Sequence, residues 1–337
     1  MNQPAAMQEA AKRSKDKGSR LSADFWSRYG LPLGLAVLVA VFVWQADSFL
    51  TESNLVNILR QSSVLAIAAV GATLVLIAAG IDISQGAVMA LSGITAVVSA
   101  QVFGLPDGLA VLVALFAATL VGAINGLLAE LVRIPAFIAT LGTALVVGGL
   151  GFVYTEGRSI GFGRGEDAAG QFIQWLGKGF IGPVPVPVIV MFGLYLVAYL
   201  VMQRTIWGMH CYAIGSSERA AQIAGLRVTR HRIEVYAIAG LLSGLAGIIL
   251  AGRLGSASPS LGVGAEFDIL TAVVLGGTSI YGGKGNVFRT LLGAVFLATL
   301  TNGLILMNVP TFYQQVSVGL VLLAALTLDR LQARGGR

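Results

Sequence analysis

Charged side chains make up only 11% of the 337 residues, against 56% hydrophobic ones, and the mean hydropathy is +0.82. So little charge cannot cover a water-soluble globule of this length, which excludes that class. A single cysteine, Cys211, rules out a disulfide framework within the chain, and two histidines, His210 and His231, leave no metal-ligand cluster in the sequence. There is no Gly-x-Ser-x-Gly elbow, and neither histidine stands at motif spacing from a nucleophile, so catalytic machinery is missing as well. The nearest approach to a phosphate-binding loop is the glycine-rich run Gly276–Asn286. It fails the Gly-x-x-x-x-Gly-Lys-Ser/Thr pattern, because Thr278 stands where the first glycine belongs and Gly285 follows Lys284. The run reads instead as a mobile turn. Without a nucleotide site, energy for pumping has to come from a partner or an ion gradient.

What the chain has in abundance is apolar runs. A spanning helix takes about 20 apolar residues, and windows of that size give about ten spans: roughly 29–46, 62–80, 85–103, 108–130, 137–154, 187–203, 233–252, 267–281, 287–306 and 312–328. The first is short and the eighth weak. Period-two alternation, the mark of a membrane barrel, is absent, so helices are the spanning element. The basic stretch before the first run (Lys12, Arg13, Lys15, Lys17, Arg20, Arg28) resembles the start of a signal peptide. The run closes at Trp44-Gln45-Ala46-Asp47 without a small-residue cleavage site, which predicts a retained first helix.

The net charge of +6 is placed beside the spans, so the positive-inside rule explains it better than nucleic-acid binding does. With the N-terminal tail in the cytoplasm, loops after even-numbered spans fall on the same side, and these carry the arginines. Residues 203–232 hold Arg204, Arg219, Arg227, Arg230 and Arg232; the eighth-to-ninth connection holds Lys284 and Arg289; the C-terminus holds Arg330, Arg334 and Arg337. Opposite loops are acidic or neutral, with Asp47, Glu52, Asp107 and Asn308-Val309-Pro310. Arg60 and Arg253 are exceptions. The stretch 155–186 balances Arg158, Arg164 and Lys178 against Glu156, Glu166 and Asp167 and gives no orientation.

Asn125-Gly126-Leu127-Leu128 followed by Pro135-Ala136-Phe137 is echoed by Asn302-Gly303-Leu304-Ile305 followed by Pro310-Thr311-Phe312. The copies close the fourth and ninth spans. An offset of five spans reverses their direction, the inverted-repeat logic of many transporters. Most of the 44 glycines fit close helix packing, for which lipid offers no hydrophobic substitute. The cluster Gly80-Ile81-Asp82-Ile83-Ser84-Gln85-Gly86 interrupts the spans instead. A carboxylate at a helix centre is penalised by about 2.5–3.5 kcal/mol. Asp82 is therefore expected at an interface, facing a polar cavity, or capping the third span, with capping the favoured role and direct solute contact the alternative. Glu266 and Asp268, flanking the start of the eighth span, read as interfacial, with a binding role as the alternative.

In the basic internal loop, Ser216–Gly225 reads as a two-turn helix with Ser216 as its N-cap, Glu218 at the positive end of the helix dipole and Gly225 as a left-handed stop. Two turns are too few to be stable alone, so the segment needs a partner surface. Its Ala220-Ala221-x-x-x-Gly225 pattern resembles the cytoplasmic coupling loop of ABC importer permeases. Over roughly residues 50–330 the chain resembles their ribose/xylose/arabinose/galactose branch. The resemblance is carried by Gly80–Gly86 running on to Leu91-Ser92-Gly93, by Asn125-Gly126, Arg133–Gly142, Thr155-Glu156-Gly157-Arg158, Ala213-Ile214-Gly215, Ala220-Ala221, Leu275–Gly285 and Asn302-Gly303-Leu304. Arg219 departs from the acidic first residue of the general coupling motif.

The resemblance implies an all-α polytopic membrane protein of about ten transmembrane helices in the vitamin B12-importer-like permease fold. It would be built from two inverted five-helix halves, about 29–160 and 187–330. Residues 1–28 and 331–337 would be cytoplasmic tails and 204–232 the coupling loop. The protein would be a multi-pass permease of the bacterial inner membrane with both termini cytoplasmic, importing a monosaccharide or similar small polar solute. Its implied partners are a cytoplasmic ABC ATPase subunit that holds ATP and Mg, a periplasmic or extracellular solute-binding protein, and a second copy or homologous permease. No cofactor is expected in this chain. The coupling helix would be Ser217, Glu218, Arg219, Ala220, Ala221, Ile223 and Gly225. Candidates for the translocation path or broken helices are Asp82, Ser84, Asn125, Phe137, Thr140, Thr278, Ser279 and Asn302. A rival reading is an ion-coupled secondary transporter, which would look similar but needs ionisable groups deep in the bundle, where this chain offers little beyond Asp82, Glu266 and Asp268. A third is a membrane scaffold or receptor that transports nothing.

Overall fold

A computed structural model describes residues 29–163 and 169–335, with side chains as far as Thr327. The basic tail 1–28 and residues Arg164, Glu166, Asp167 and Arg337 lie outside the described residues, as do the side chains of Arg330 and Arg334. Among the described residues the regular structure is helical apart from four two-residue strands. The helices are α1 (Tyr29–Gln45), α2 (Glu52–Ile77), α3 (Gln85–Gln101), α4 (Asp107–Glu130), α5 (Ala136–Thr155), α6 (Gln171–Lys178), α7 (Val186–Arg204), α8 (Ile206–Ser216), α9 (Glu218–Ile223), α10 (Val228–Leu254), α11 (Ala265–Leu275), α12 (Val287–Leu306) and α13 (Thr311–Gly335). β1 (Ile160–Gly161) pairs antiparallel with β4 (Ser256–Ala257), and β2 (Phe180–Ile181) with β3 (Val184–Pro185).

Six of these helices, α2, α4, α5, α7, α10 and α12, are long and apolar enough to cross a membrane. α1, α3 and the apolar part of α13 run to 17 residues each, and α11 has 11. The eighth span expected at 267–281 is therefore a half-helix. Its C-cap is Gly276, and Gly277 turns left-handed at φ +83° while Thr278 N–H closes back on Val273 O at 3.2 Å. α2 ends the same way: Ala79 takes φ +60° and Gly80 N–H bonds Val75 O at 2.8 Å. An alanine held in that conformation is penalised by about 1–2 kcal/mol, so the break there is imposed by tertiary contacts, described below.

α2 and α10 form the buried centre, with 78% and 72% of their most apolar windows inside the protein, whereas α5 has 22%. The outer helices present unbroken apolar faces, such as Leu112, Phe116 and Leu120 on α4 and Val316, Leu320 and Leu323 on α13. Such faces suit lipid and would aggregate in water. At the centre, small residues let backbones touch. A Cβ added at Gly122 of α4 would meet Tyr236 O and Gly240 Cα (3.0 Å), and one added at Gly240 of α10 would meet Ala118 O and Gly122 Cα (3.0 Å). The expectation that most glycines serve packing fits this seam.

Two further features accompany the repeated motifs. A Cβ on Gly86 would strike Gly262 O, and one on Gly262 would strike Gly86 O. These reciprocal contacts join positions separated by almost the same spacing as Asn125 and Asn302, so the chain breaks α2–α3 and α10–α11 meet each other. The turns after both Asn-Gly helices also match: Arg133 (φ +63°) precedes Pro135 by two residues, and Asn308 (φ +56°) precedes Pro310 by two. The described residues of the stretch 155–186 include the short helix α6 and the β2–β3 pair. Asp107 accepts the N–H groups of Gly170 (2.7 Å) and Phe172 (2.8 Å), capping α6, which lies against α10 through Gly177 and Gly252. Arg60, an exception to the charge rule, is tied there too, donating to Lys178 O at 2.5 Å and stacking over Phe180 at 4.6 Å.

Replacing Gly122 by leucine should lower stability by about 1–3 kcal/mol or more, whereas leucine at Gly148, which has open space around it, should be close to neutral. Thermal unfolding of the two purified variants in detergent tests this, and equal midpoints would contradict the packing seam.

Candidate functional site

The basic stretch 204–232 folds into two short helices and the first turn of α10, so it is not one open loop. Thr205 caps α8 by accepting Gly208 N–H at 3.2 Å. Ser217, not Ser216, caps α9, accepting Ala220 N–H at 3.3 Å. Ser216 instead ends α8, its hydroxyl donating to Tyr212 O at 2.7 Å. The shift by one residue arises because α8 runs directly into α9, leaving only the extended Ser217 between them. Gly225 has φ +82°, and Leu226 N–H bonds Ala221 O at 3.0 Å, the left-handed stop expected there.

α9 is oriented by one buried contact and one ion pair. Ala221 is buried with Ile214 of α8 and Val228 of α10, while Ile223, two residues on, is 81% exposed. Glu218 reaches Arg232 of α10, with Nη1 to Oε2 at 3.0 Å. The same Nη1 lies 3.0 Å from Glu130 at the end of α4, and Arg232 Nε donates to Ala78 O, the C-cap carbonyl of α2, at 3.2 Å. Arg232 therefore joins three helix ends, satisfying a terminal carbonyl and two carboxylates at once. α8 is pinned separately. Trp207 Nε1 donates to Glu234 at 3.1 Å, its ring lies 4.8 Å from His231, and Cys211 Sγ is 3.2 Å from His231 Nε2. Burial pushes the Cys211 thiol up to about 12, which keeps it unreactive.

One turn beyond Arg232, Tyr236 holds the interrupted stretch between α2 and α3. Ile81 N–H donates to the Tyr236 hydroxyl at 3.2 Å, and that hydroxyl donates to Ile81 O at 3.1 Å. Asp82 accepts both the N–H (2.8 Å) and the hydroxyl (2.6 Å) of Ser84, the residue that precedes α3, so it braces the turn into that helix without bonding an amide of the helix itself, as the capping role would require. Asn125 donates to Ser84 Oγ at 2.7 Å, and Ile83 N–H donates to Thr140 Oγ1 at 3.2 Å. Four candidates from three distant stretches, Asp82, Ser84, Asn125 and Thr140, thus converge on one broken helix. Its stray backbone groups are met by side chains in a region with no water to spare.

The other candidates sit elsewhere. Phe137 is exposed beside Thr140. Asn302 donates to Asn54 Oδ1 at 2.8 Å near the start of α2. Thr278 and Ser279 lie in the connection between α11 and α12. The sequence reads that connection as a mobile turn; the structure wedges it against α2 and α8. Gly283 N–H bonds Ile77 O at 2.9 Å, Tyr212 donates to Gly285 O at 3.1 Å, and added Cβ atoms at Gly282 and Gly283 would meet Ala79 (2.6 Å) and Ser216 (2.5 Å). The side-chain oxygens of Asn125, Asn302 and Thr278 and both amide atoms of Gln85 are buried without a hydrogen-bond partner, an arrangement frequent at functional sites. Sequence reasoning missed Tyr236, a tyrosine inside an apolar run, and read Arg232 only as a positive-inside charge.

The ion pairs order the effects of substitution. Arg232 and Glu130 are 14% and 12% exposed, Glu218 48%. Arg232→Gln strands Glu130 and should destabilise by about 3–5 kcal/mol, while Glu218→Gln removes a solvent-screened contact and should cost about 1 kcal/mol or less. Unfolding of the two variants in detergent tests the ranking; equal losses would contradict the role of Arg232 as the junction.

A family described as branched-chain amino acid transport system / permease component matches residues 54–326. The ribose import permease of Haemophilus influenzae is 40% identical over 88% of this chain and 91% of its own length, and that of Escherichia coli K12 is 42% identical over 88% and 92%. The D-allose transport system permease of Escherichia coli K12 is 35% identical over 92% and 93%. No solved structure matches the chain.

Proposed function

Because the chain belongs to the family of branched-chain amino acid transport system permease components, we propose that it is the membrane subunit of an ABC importer. It carries a monosaccharide or similar small polar solute inward with ATP hydrolysed by a separate subunit. The observation that carries this reading is near full-length similarity to permeases named for ribose and allose import. In finer detail, α1, α3, α11 and α13 complete ten membrane-inserted helices with the six long ones, in a vitamin B12-importer-like arrangement. The halves are about 29–160 and 187–330, and both termini face the cytoplasm of a bacterial inner membrane. ATP and Mg belong to the partner ATPase, a periplasmic or extracellular binding protein delivers the solute, and a second copy or homologous permease completes the pore.

In this reading α9 is the contact for the ATPase. Ile223, with Arg219 beside it, presents the docking surface, while buried Ala221 fixes the helix to α8 and α10. Movement of α9 passes through Glu218 and Arg232 to the C-cap of α2, and through Tyr236 to Ile81 and the broken start of α3, where Asp82, Ser84, Asn125 and Thr140 meet. This is a two-position element between motor and membrane path. Arg219, where the general motif is acidic, makes the docking surface more basic and favours an acidic patch on the ATPase.

Ala221→Glu should abolish uptake by forcing a charge between Ile214 and Val228. Gly225→Pro should do the same, since φ +82° is closed to proline. Ile223→Asp should block ATPase docking while leaving the permease folded. Uptake of labelled ribose by cells expressing the importer, with immunodetection of membrane levels, tests all three; normal uptake by the first two would sink the coupling-helix assignment.

A further inference from the structure

A cavity of about 440 Å³ opens between α2, α10, α11 and α12, with Met89 of α3 at one side; Ile269 lines both it and the small pocket beside Asp82, and no residue of α9 lines it. Its walls are mostly aliphatic, with Val64 and Leu250 among them, yet each of those four helices also contributes one polar side chain: Gln61, Arg253, Asp268 and Thr301. Among the described residues none of these four makes a side-chain hydrogen bond or ion pair. An arginine and an aspartate line one cavity and leave each other unpaired. Charged groups in an apolar wall are costly, and structural ones are found paired. Here the pairing partner is missing while space for one is present. Arg253 is also the remaining exception to the charge rule, a cation on the side where cations are scarce.

The volume falls in the range of about 300–1,000 Å³ usual for small-molecule sites. The opposite charges cancel, so the site takes a solute without net charge. Gln61 and Thr301 add donors and acceptors at the neutral flanks, and the aliphatic wall suits the C–H face of a ring. We propose that this cavity is a binding station for a neutral, hydroxyl-rich molecule of monosaccharide size, in which Asp268 accepts from solute hydroxyls and Arg253 donates to solute oxygens. This rests on the reading of the chain as a sugar permease and adds to it a site that the broken-helix cluster does not contain.

The test uses the complete importer, permease with its ATPase and binding protein, in proteoliposomes, with labelled D-ribose, D-allose, D-fructose and L-leucine as probes. Asp268→Leu and Arg253→Leu should each cut sugar flux about ten-fold or more, the loss of one charge-assisted hydrogen bond. Asp268→Asn keeps an acceptor and should lose only about two- to three-fold, whereas a site built for the ammonium of an amino acid would lose as much as with leucine. Thr301→Val removes one hydroxyl at constant shape, should reduce flux about three-fold, and keeps the test readable if the leucine variants fail to assemble. Gly148→Ala serves as the unaffected control. Wild-type sugar flux in Thr301→Val and in every charge variant that assembles would overturn the site while leaving the permease reading intact. A wild-type importer that moves leucine and none of the three sugars would overturn both.

Discussion

A helix interrupted inside an apolar medium exposes amide and carbonyl groups that lipid cannot satisfy, and most of this architecture follows from meeting that demand. The stretch from Ala78 to Ser84 is the clearest case. Its polar groups are taken up by Arg232, Tyr236, Thr140 and Asp82, drawn from α10, α5 and the break itself. Each of these side chains is fixed by a helix that crosses or borders the buried centre, so the break can exist only while those helices are assembled around it. That dependence ties the break to α9 through Arg232, which contacts both Ala78 and Glu218.

The two halves share a plan but use it differently. Their chain breaks touch through Gly86 and Gly262, where neither backbone tolerates even a methyl group. In the first half the break is laced with side-chain hydrogen bonds and tied to α9. In the second, the equivalent connection folds as β4 and a turn paired with β1, and it leads into the half-helix α11 beside the polar cavity. The first break is thus linked to α9 through Arg232, and the second borders Arg253 and Asp268.

How far the sequence discloses this depends on scale. Long apolar runs announce α2, α4, α5, α7, α10 and α12 because spanning demands length, and the Asn-Gly and Pro motifs announce the repeat. The half-helix α11 is only partly legible: the glycine-rich run from Gly276 marks a turn, but the 267–281 window overlaps it, and the close packing of Gly276 on Thr290 appears only in the structure. α6 is eight residues long and its cap is a carboxylate 63 positions away, beyond any local pattern. Polar residues in apolar context, Asp82, Ser84, Asn125 and Thr140, stood out because membranes make them expensive. Tyr236 did not, being as much at home in a core as in a hydrogen bond, and Arg232 was masked by neighbouring arginines that satisfy a simpler rule.

The central claim is that α9 and the broken start of α3 move as a unit through Arg232. The direct measurement is the distance between spin labels at Ala224 and Phe103, both exposed, by pulsed electron resonance in the assembled importer with and without bound ATP. Motion as a unit through Arg232 predicts that this distance stays constant on ATP binding in the otherwise native chain and changes in Arg232→Gln, while ATP still binds. The same change in both chains would contradict it.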